Sequence, residues 1–239
     1  MRYSESSVII TGASQGIGKC IALTFARYTN RPLILIARNR ENLELAKKEC
    51  REAGAQKIVT LQCDLTVNSK TQKLVLPEGF PCPGILINNA GTYLYKTLEE
   101  TTEEEFHQQV NVNLFSAVHT IQRFLPDLRK YERALIINIC SVGSLKGLGD
   151  SGAYSASKHA LLGYTRSLRD ELQNTNIGVT AVNLGQTHST SWEGSAVSTE
   201  RLIDPVDLAH LLISFTQITG RTLVEEIILQ PQHGRVPSM

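Results

Sequence analysis

The stretch Val8-Ile9-Ile10-Thr11-Gly12-Ala13-Ser14-Gln15-Gly16-Ile17-Gly18 decides the fold of this chain. It begins with an apolar run that predicts a buried parallel strand. Residues 17–29 follow with apolar side chains at helical spacing, so the glycines lie in the turn between a strand and a helix. Such a turn lets the backbone approach a pyrophosphate, and the helix N-terminus offers free N–H groups to it. A plain turn is the alternative, but this position favours dinucleotide binding.

Strands and helices alternate along the rest of the chain. Apolar runs predict further strands at 33–37, 58–61, 85–87, 135–139, 179–182 and 227–229. Helices are predicted at 41–53, 102–129 and 152–174, after Asp204-Pro205, and in truncated form within the short segment 66–84. The alternation predicts an α/β protein: a single-domain Rossmann fold over 1–239, with a doubly wound parallel sheet of about seven strands.

Bulk composition favours a small-molecule partner. The net charge is +1 over 239 residues, which gives no basic field for a nucleic acid or an anionic membrane. The five cysteines are odd in number and widely spaced, which argues against a disulfide framework or a zinc site. The six histidines show no ligand spacing, so no metal is expected. Since neither a leader nor a membrane span is recognisable, we expect a cytoplasmic protein.

The end of the second predicted strand bears on the choice of nucleotide. An NAD-binding protein places an acidic residue near this point, where it binds the ribose hydroxyls. This chain has Ala37-Arg38-Asn39-Arg40 instead. A guanidinium suits a 2′-phosphate, so the sequence favours NADP(H). A solvated basic loop is the alternative.

Tyr154 and Lys158 lie four residues apart on a predicted helix and therefore share one face. A nearby cation lowers the pKa of a phenol, which makes a tyrosine usable as a general acid or base. The pair alone is weak evidence. However, Ser141 lies thirteen residues before Tyr154, and Asn88-Asn89-Ala90-Gly91 follows the fourth strand.

These motifs, in this order, resemble those of the short-chain dehydrogenase/reductase family. The resemblance runs from Val8 to Leu229, nearly the whole chain. It implies an NADP(H)-dependent oxidoreductase that moves a hydride between the nicotinamide and a carbonyl or alcohol carbon. It also implies pairing through the helices at 102–129 and 152–174, as a homodimer or homotetramer.

The resemblance assigns roles to individual residues. Tyr154 is the implied proton donor or acceptor, and Lys158 lowers its pKa and binds the nicotinamide ribose. Ser141 holds the substrate oxygen, and Asn113 positions a water in the proton relay. The implied cofactor-binding residues are Gly12, Ser14, Gln15, Gly16, Ile17, Gly18, Arg38, Asn39, Asp64, Leu65, Asn89, Ala90, Gly91, Tyr154, Lys158, Gly185 and Thr187.

The chain also departs from the family pattern. Leu184-Gly185 replaces the usual Pro-Gly after the sixth strand, and Gly84 replaces a common acidic residue. Residues 186–203 match the family's substrate lid, which sets specificity. Trp192 lies in this lid, and we expect it either to pack on substrate or to anchor the loop. Cys140 is interpreted as a pocket-wall residue.

Several activities remain open at this stage. The C-terminal segment 224–229 and the tryptophan-bearing lid resemble bacterial sepiapterin reductase-like relatives. A 3-oxoacyl-[acyl-carrier-protein] reductase and a broad ketone or diketone reductase are alternatives. A protein of a different class, a catalytically idle NADP-binding sensor or scaffold, is argued against by the complete set of Ser141, Tyr154 and Lys158.

Overall fold

The computed structural model describes residues 2–192 and 194–236. Glu193 in the predicted lid, and Met1 and residues 237–239 at the ends of the predicted domain, lie outside the described residues. The described chain forms one sheet of seven strands: β1 Ser7–Thr11, β2 Leu33–Ala37, β3 Ile58–Gln62, β4 Pro83–Asn88, β5 Ala134–Ile139, β6 Ile177–Leu184 and β7 Glu226–Leu229. The prediction of about seven strands is confirmed.

Seven α-helices of the described chain connect these strands. Their bounds are α1 Gly16–Tyr28, α2 Arg40–Glu52, α3 Asn68–Thr71, α4 Glu103–Val110, α5 Ser116–Leu128, α6 Gly152–Leu172 and α7 Pro205–Gln217. The helix predicted to be truncated is the single-turn α3. No helix among the described residues is long and apolar enough to cross a membrane.

The order of the strands places the site. All neighbouring strands pair in parallel, in the order β3-β2-β1-β4-β5-β6-β7. The chain winds outward from β1 to β3 and then returns to β4 on the other side of β1. Ligands of such sheets bind at the carboxyl ends of the strands, near this reversal. The turn after β1 and the segment after β4 flank that point.

Helices cover both faces of the sheet, because alternate strand residues are apolar on both sides. Val8, Ile10 and Leu35 belong to one buried cluster, whereas Ile9 and Ile34 belong to another on the opposite face. Burial of a side chain of this size contributes about 1.5–3 kcal/mol to stability. The central strands are therefore held firmly, and their ends are fixed points for functional side chains.

The helix predicted at 102–129 is not continuous. Thr102 and Glu105 form the expected capping box at its start. The segment Asn111–Phe115, however, is a π-helical turn that separates α4 from α5. Such turns insert a bulge into a helix and occur frequently at functional sites. Here the bulge carries Asn113, one of the predicted catalytic residues.

Close packing against Ser6 explains why position 84 is a glycine. A Cβ at this position would lie 2.5 Å from Ser6 Oγ and 2.6 Å from Ser6 Cβ. The Ser6 hydroxyl donates to the Tyr3 carbonyl and accepts from Arg31, so Ser6 has no room to move away. The acidic residue common in the family therefore does not fit here.

Candidate active site

A cavity of about 480 Å³ lies at the carboxyl ends of the central strands. Many of the predicted site residues line it. They are Ile17, Asn89, Gly91, Ser141, Tyr154, Lys158, Gly185, Thr187 and Trp192. The other predicted residues do not line it and lie on the turn after β1 and the start of α1, on the segments after β2, β3 and β4, and in the π-helical turn: Gly12, Ser14, Gln15, Gly16, Gly18, Arg38, Asn39, Asp64, Leu65, Ala90 and Asn113. The structure thus gathers residues from the whole length of the chain at one edge of the sheet.

The glycine turn requires glycine at three positions. Gly12 has φ +65° and Gly16 has φ +54°, a conformation that residues with a Cβ rarely adopt. A Cβ at Gly18 would lie 2.3 Å from the Gly12 carbonyl oxygen and 2.5 Å from Asn89 Nδ2. The first turn of α1 therefore packs directly on the loop. Gln15, the cap residue, makes no side-chain hydrogen bond to the described helix start, and its Nε2 donates instead to Thr190 Oγ in the lid at 3.4 Å.

Thr11 joins the glycine turn to the segment after β4. Its hydroxyl oxygen accepts the backbone N–H groups of Asn89 and Ala90, each at 3.0 Å. Asn89 Nδ2 donates to the Thr11 carbonyl, also at 3.0 Å. Hydrogen bonds thus join the glycine turn after β1 to the segment after β4. Thr11 is not among the predicted site residues. Its position directly before Gly12 is the one feature of the sequence that points to this role.

The predicted nucleotide-selecting residues follow β2 and β3. Arg38 and Asn39 are exposed, and Asn39 caps α2 with its side chain. Asp64 accepts hydrogen bonds from the N–H and hydroxyl of Thr66, at 3.1 and 2.7 Å. Burial raises the pKa of Asp64, but these hydrogen bonds and the charge of Arg38 outweigh it and lower the pKa. Asp64 and Arg38 are therefore charged neighbours outside the cavity, and Leu65 beside them is buried.

Tyr154 projects from α6 into the cavity beside Ser141. Burial raises the pKa of Tyr154 to about 12, and the hydrogen bond with Ser141 acts in the opposite direction. The expected lowering of this pKa by Lys158 is not found. Desolvation dominates instead, because the half-buried phenol packs edge-on against Tyr93, with ring centroids 4.9 Å apart.

Lys158 lies one turn further along α6 and is buried. Its ammonium donates to the carbonyl of Ile139 at 2.8 Å. Burial lowers the pKa of Lys158, although the neighbouring Cys140 acts against this. Burial also raises the pKa of the Cys140 thiol to about 11. Cys140 lines the cavity as a neutral wall residue, as its interpretation from sequence requires.

Asn113 is buried in the π-helical turn, and its amide is engaged by the protein. Its Nδ2 donates to the Thr92 carbonyl at 3.0 Å and to Ser157 Oγ at 3.0 Å. Its Oδ1 accepts the N–H of Thr92 at 2.9 Å. A Cβ at Gly91 would lie 2.9 Å from that same oxygen, which explains the glycine. Asn113 therefore fixes the segment that follows β4 next to α6.

Ser141 begins a short 3-10 turn directly after β5. Its hydroxyl accepts the N–H of Gly143 at 3.0 Å, and its own N–H donates to Ser144 Oγ at 3.1 Å. This reciprocal cap fixes the Ser141 side chain next to Tyr154. The two side chains therefore form a preorganised pair with hydroxyl groups facing one cavity.

Sequence analysis missed two parts of the cavity wall. Tyr93, after β4, donates to or accepts from Ser151 Oγ at 2.9 Å and packs on Tyr154. The segment 230–236 supplies the second part, through Gln230, Gly234 and Arg235. No local sequence pattern predicts either contact, although the position of Tyr93 just after a strand end weakly indicates a residue near the site.

Gln186 holds the segment 230–236 against the lid. Its Nε2 donates to the Val236 carbonyl at 2.9 Å, and its Oε1 accepts the Val236 N–H at 2.8 Å. Its backbone carbonyl accepts the N–H of Ile203, which closes the base of the lid. Trp192 lies in this lid and lines the cavity. This position is compatible with the expectation that it packs on substrate. We call the paired bonds between Gln186 and Val236 the tail clasp.

Comparisons with known proteins agree with this architecture. Residues 6–201 match the model of the short chain dehydrogenase family. A sepiapterin reductase from Chlorobaculum tepidum is 30% identical over 96% of this chain and 97% of its own length. An alcohol dehydrogenase from the archaeon Thermococcus sibiricus, solved with 5-hydroxy-NADP, superposes with a TM-score of 0.87 at 27% identity, covering 98% and 100% of the two chains. A metagenomic short-chain oxidoreductase solved with NADP gives a TM-score of 0.81 at 27% identity over 96% and 99%.

The chain belongs to the short-chain dehydrogenase family and is an oxidoreductase of that family.

The connection made by Thr11 can be tested by removing its hydroxyl. Thr11→Val keeps the shape of the side chain but leaves the N–H groups of Asn89 and Ala90 without their acceptor. We expect the free energy of unfolding, measured in urea, to fall by about 1–3 kcal/mol. Thr11→Ser, which retains the hydroxyl, is the control and should lose less. Equal stability of the two variants would contradict the role given to Thr11.

Proposed function

We propose that this protein is an NADP(H)-dependent reductase that converts a ketone or aldehyde to an alcohol. The observation that carries the proposal is that Ser141, Tyr154 and Lys158 line one cavity, which also contains Ile17 from the first turn of α1. The relatives solved with NADP derivatives support the choice of cofactor. When bound, the nicotinamide supplies the hydride.

The residues at the edge of the sheet fit this cofactor. The close packing of Gly18 on Gly12 leaves a path for a pyrophosphate over the N-terminus of α1. Arg38, exposed after β2, is the proposed partner of the 2′-phosphate. Gly185 and Thr187, after β6, are the proposed contacts of the nicotinamide end. Ser14, Gln15, Asn39, Asp64, Leu65 and Ala90 complete the proposed cofactor site.

Tyr154 is the proposed general acid. Because burial raises its pKa to about 12, the phenol holds its proton at neutral pH and can give it to a carbonyl oxygen. Ser141 donates a second hydrogen bond to the same oxygen and stabilises the charge that develops there. Lys158 is proposed to bring the pKa down in the cofactor complex. Asn113 is proposed to hold a relay water through its backbone, since its side-chain amide is engaged by Thr92 and Ser157.

The cofactor preference can be measured by fluorescence titration with NADPH and NADH. We expect the wild type to bind NADPH more tightly. Arg38→Ala should weaken NADPH binding by about tenfold, the value of one charge-assisted contact, and leave NADH unchanged. Arg27→Ala, far along α1 from the glycine turn, is the control. Equal binding of both nucleotides by the wild type would overturn the choice of NADP(H).

Catalysis can be tested with Tyr154→Phe. Loss of the proton donor should lower kcat/KM for every accepted carbonyl compound by about 10²–10⁴-fold, with NADPH binding retained. The pH profile gives a second readout. Carbonyl reduction should fall, and alcohol oxidation should rise, as the pH increases through the pKa of Tyr154. Lys158→Met should move the midpoint to higher pH. Full turnover by Tyr154→Phe would refute the mechanism, and binding without any turnover would favour the idle sensor or scaffold.

The substrate is proposed to be a small carbonyl compound. The relative named sepiapterin reductase matches over nearly its whole length, which favours a sepiapterin reductase-like carbonyl reductase. We propose a cytoplasmic location on the cysteine pattern; all five cysteines are free thiols in the structure.

A homodimer or homotetramer is the proposed assembly. The outer face of α6 presents Gly152, Ala156, Ala160 and Gly163, which are all exposed and small. Beside it, α4 contacts α6 and exposes 41% of Phe106. A flat helix face with an exposed aromatic ring next to it suits close packing against a second copy.

The assembly can be measured by light scattering at micromolar concentration. We expect a dimer or tetramer for the wild type and dissociation for Phe106→Glu, because a charge would be buried in the interface. Leu45→Glu on α2, where the leucine is 57% exposed, is the matched control and should not change the mass. A monomeric wild type would show that the helices do not pair.

A further inference from the structure

The cavity that Ser141 and Tyr154 line has an uneven distribution of charge. Lys146 and Arg235 line it, together with the buried Lys158. Among the described residues that line the cavity, none is an aspartate or a glutamate. The remaining wall combines apolar residues, among them Leu148 and Trp192, with uncharged polar residues such as Ser191. A cavity with cations and no described acidic side chain suits a ligand with a negative charge.

Lys146 is held close to the reacting groups by the backbone of its loop. The hydroxyl of Ser155 donates to the carbonyl of Gly143 at 2.8 Å and to the carbonyl of Lys146 at 3.3 Å. Ser155 follows Tyr154 on α6, so the loop from Ser141 to Lys146 is fixed to the helix that carries the general acid. The backbone of Lys146 is therefore fixed relative to Tyr154, and its exposed side chain extends from that point to the cavity.

The Lys146 ammonium forms no ion pair with any carboxylate that the structure describes. Other lysines of the chain do so, for example Lys19 with Glu49 at 2.7 Å and Lys96 with Glu105 at 2.7 Å. Lys146 thus keeps its charge available to a molecule in the cavity. Arg235 reaches the same cavity because the tail clasp fixes the adjacent Val236, which is only 4% exposed.

We propose that the substrate is a keto acid whose carboxylate binds Lys146, with Arg235 as the second cation of this subsite. The inference rests on the proposed function and names the substrate class of the same site. A carboxylate accepts charge-assisted hydrogen bonds from an ammonium and from a guanidinium, and the latter matches its two oxygens. The carbonyl next to it is then oriented toward Ser141 and Tyr154 by an interaction with the neighbouring carboxylate, which takes no part in the hydride transfer.

The test compares benzoylformate, a keto acid, with its neutral methyl ester. NADPH consumption gives kcat/KM for each compound, and the ratio of acid to ester is compared between variants, which removes the intrinsic reactivity of the two ketones. Lys146→Met should lower this ratio by about tenfold, the size of one charge-assisted hydrogen bond. The rate with the ester should stay within about twofold. Lys57→Met, which changes an exposed lysine at the opposite edge of the sheet, should leave the ratio unchanged.

Several outcomes would overturn the proposal. One is a ratio that does not change in Lys146→Met, and another is a wild type that reduces the ester but not the acid. A weaker affinity of Lys146→Met for NADPH would assign the lysine to the cofactor instead. If the wild type reduces neither compound, the result contradicts the proposed reductase activity toward these ketones. The binding of benzoylformate then tests the keto acid inference separately. Trp192 is the single tryptophan of the chain and lines the cavity, so benzoylformate should quench its fluorescence in the wild type and less in Lys146→Met. Absence of quenching in the wild type would overturn the keto acid.

Discussion

The whole site depends on one close approach of backbone to backbone. The first turn of α1 reaches the glycine loop so closely that a Cβ at Gly18 would lie 2.3 Å from the carbonyl oxygen of Gly12. The same Cβ would meet the amide of Asn89, which is bonded to Thr11. A helix N-terminus, a strand end and the segment after β4 therefore share one contact. The position of each element at the reversal of strand order therefore depends on contact with the other two.

A second set of hydrogen bonds holds the segments around Ser141 and Tyr154. Asn113 ties the segment after β4 to α6, and Ser155 ties the loop after β5 to the same helix. Tyr154 projects between these two attachments. The π-helical turn brings Asn113 to this position, since the extra residue of the turn shifts the face on which its side chain lies. Hydrogen bonds on both sides thus hold the segments that carry Ser141 and Tyr154, the proposed catalytic pair.

Patterns that are local in the chain were readable from the sequence, and the structure confirms them. The seven strands and the capping box at Thr102 follow from residue spacing, and the short α3 follows from the length of the segment 66–84. The π-helical turn was missed because Asn111–Phe115 contains neither glycine nor proline, the residues that mark an irregular turn in a sequence. The tail clasp joins positions 186 and 236, which no local pattern connects. Burial raises the pKa of Tyr154 in the structure, and this desolvation depends on packing that the sequence does not show.

The connection made by Thr11 has a consequence for how the protein reaches its native state. Its partners lie 78 and 79 positions further along the chain. A contact of this sequence separation forms only after a large loss of chain entropy, which slows folding. Until β4 docks beside β1, the apolar edges of both strands are exposed and prone to association. A substitution that weakens this contact therefore reduces the yield of folded protein during refolding, even where the finished enzyme would turn over normally.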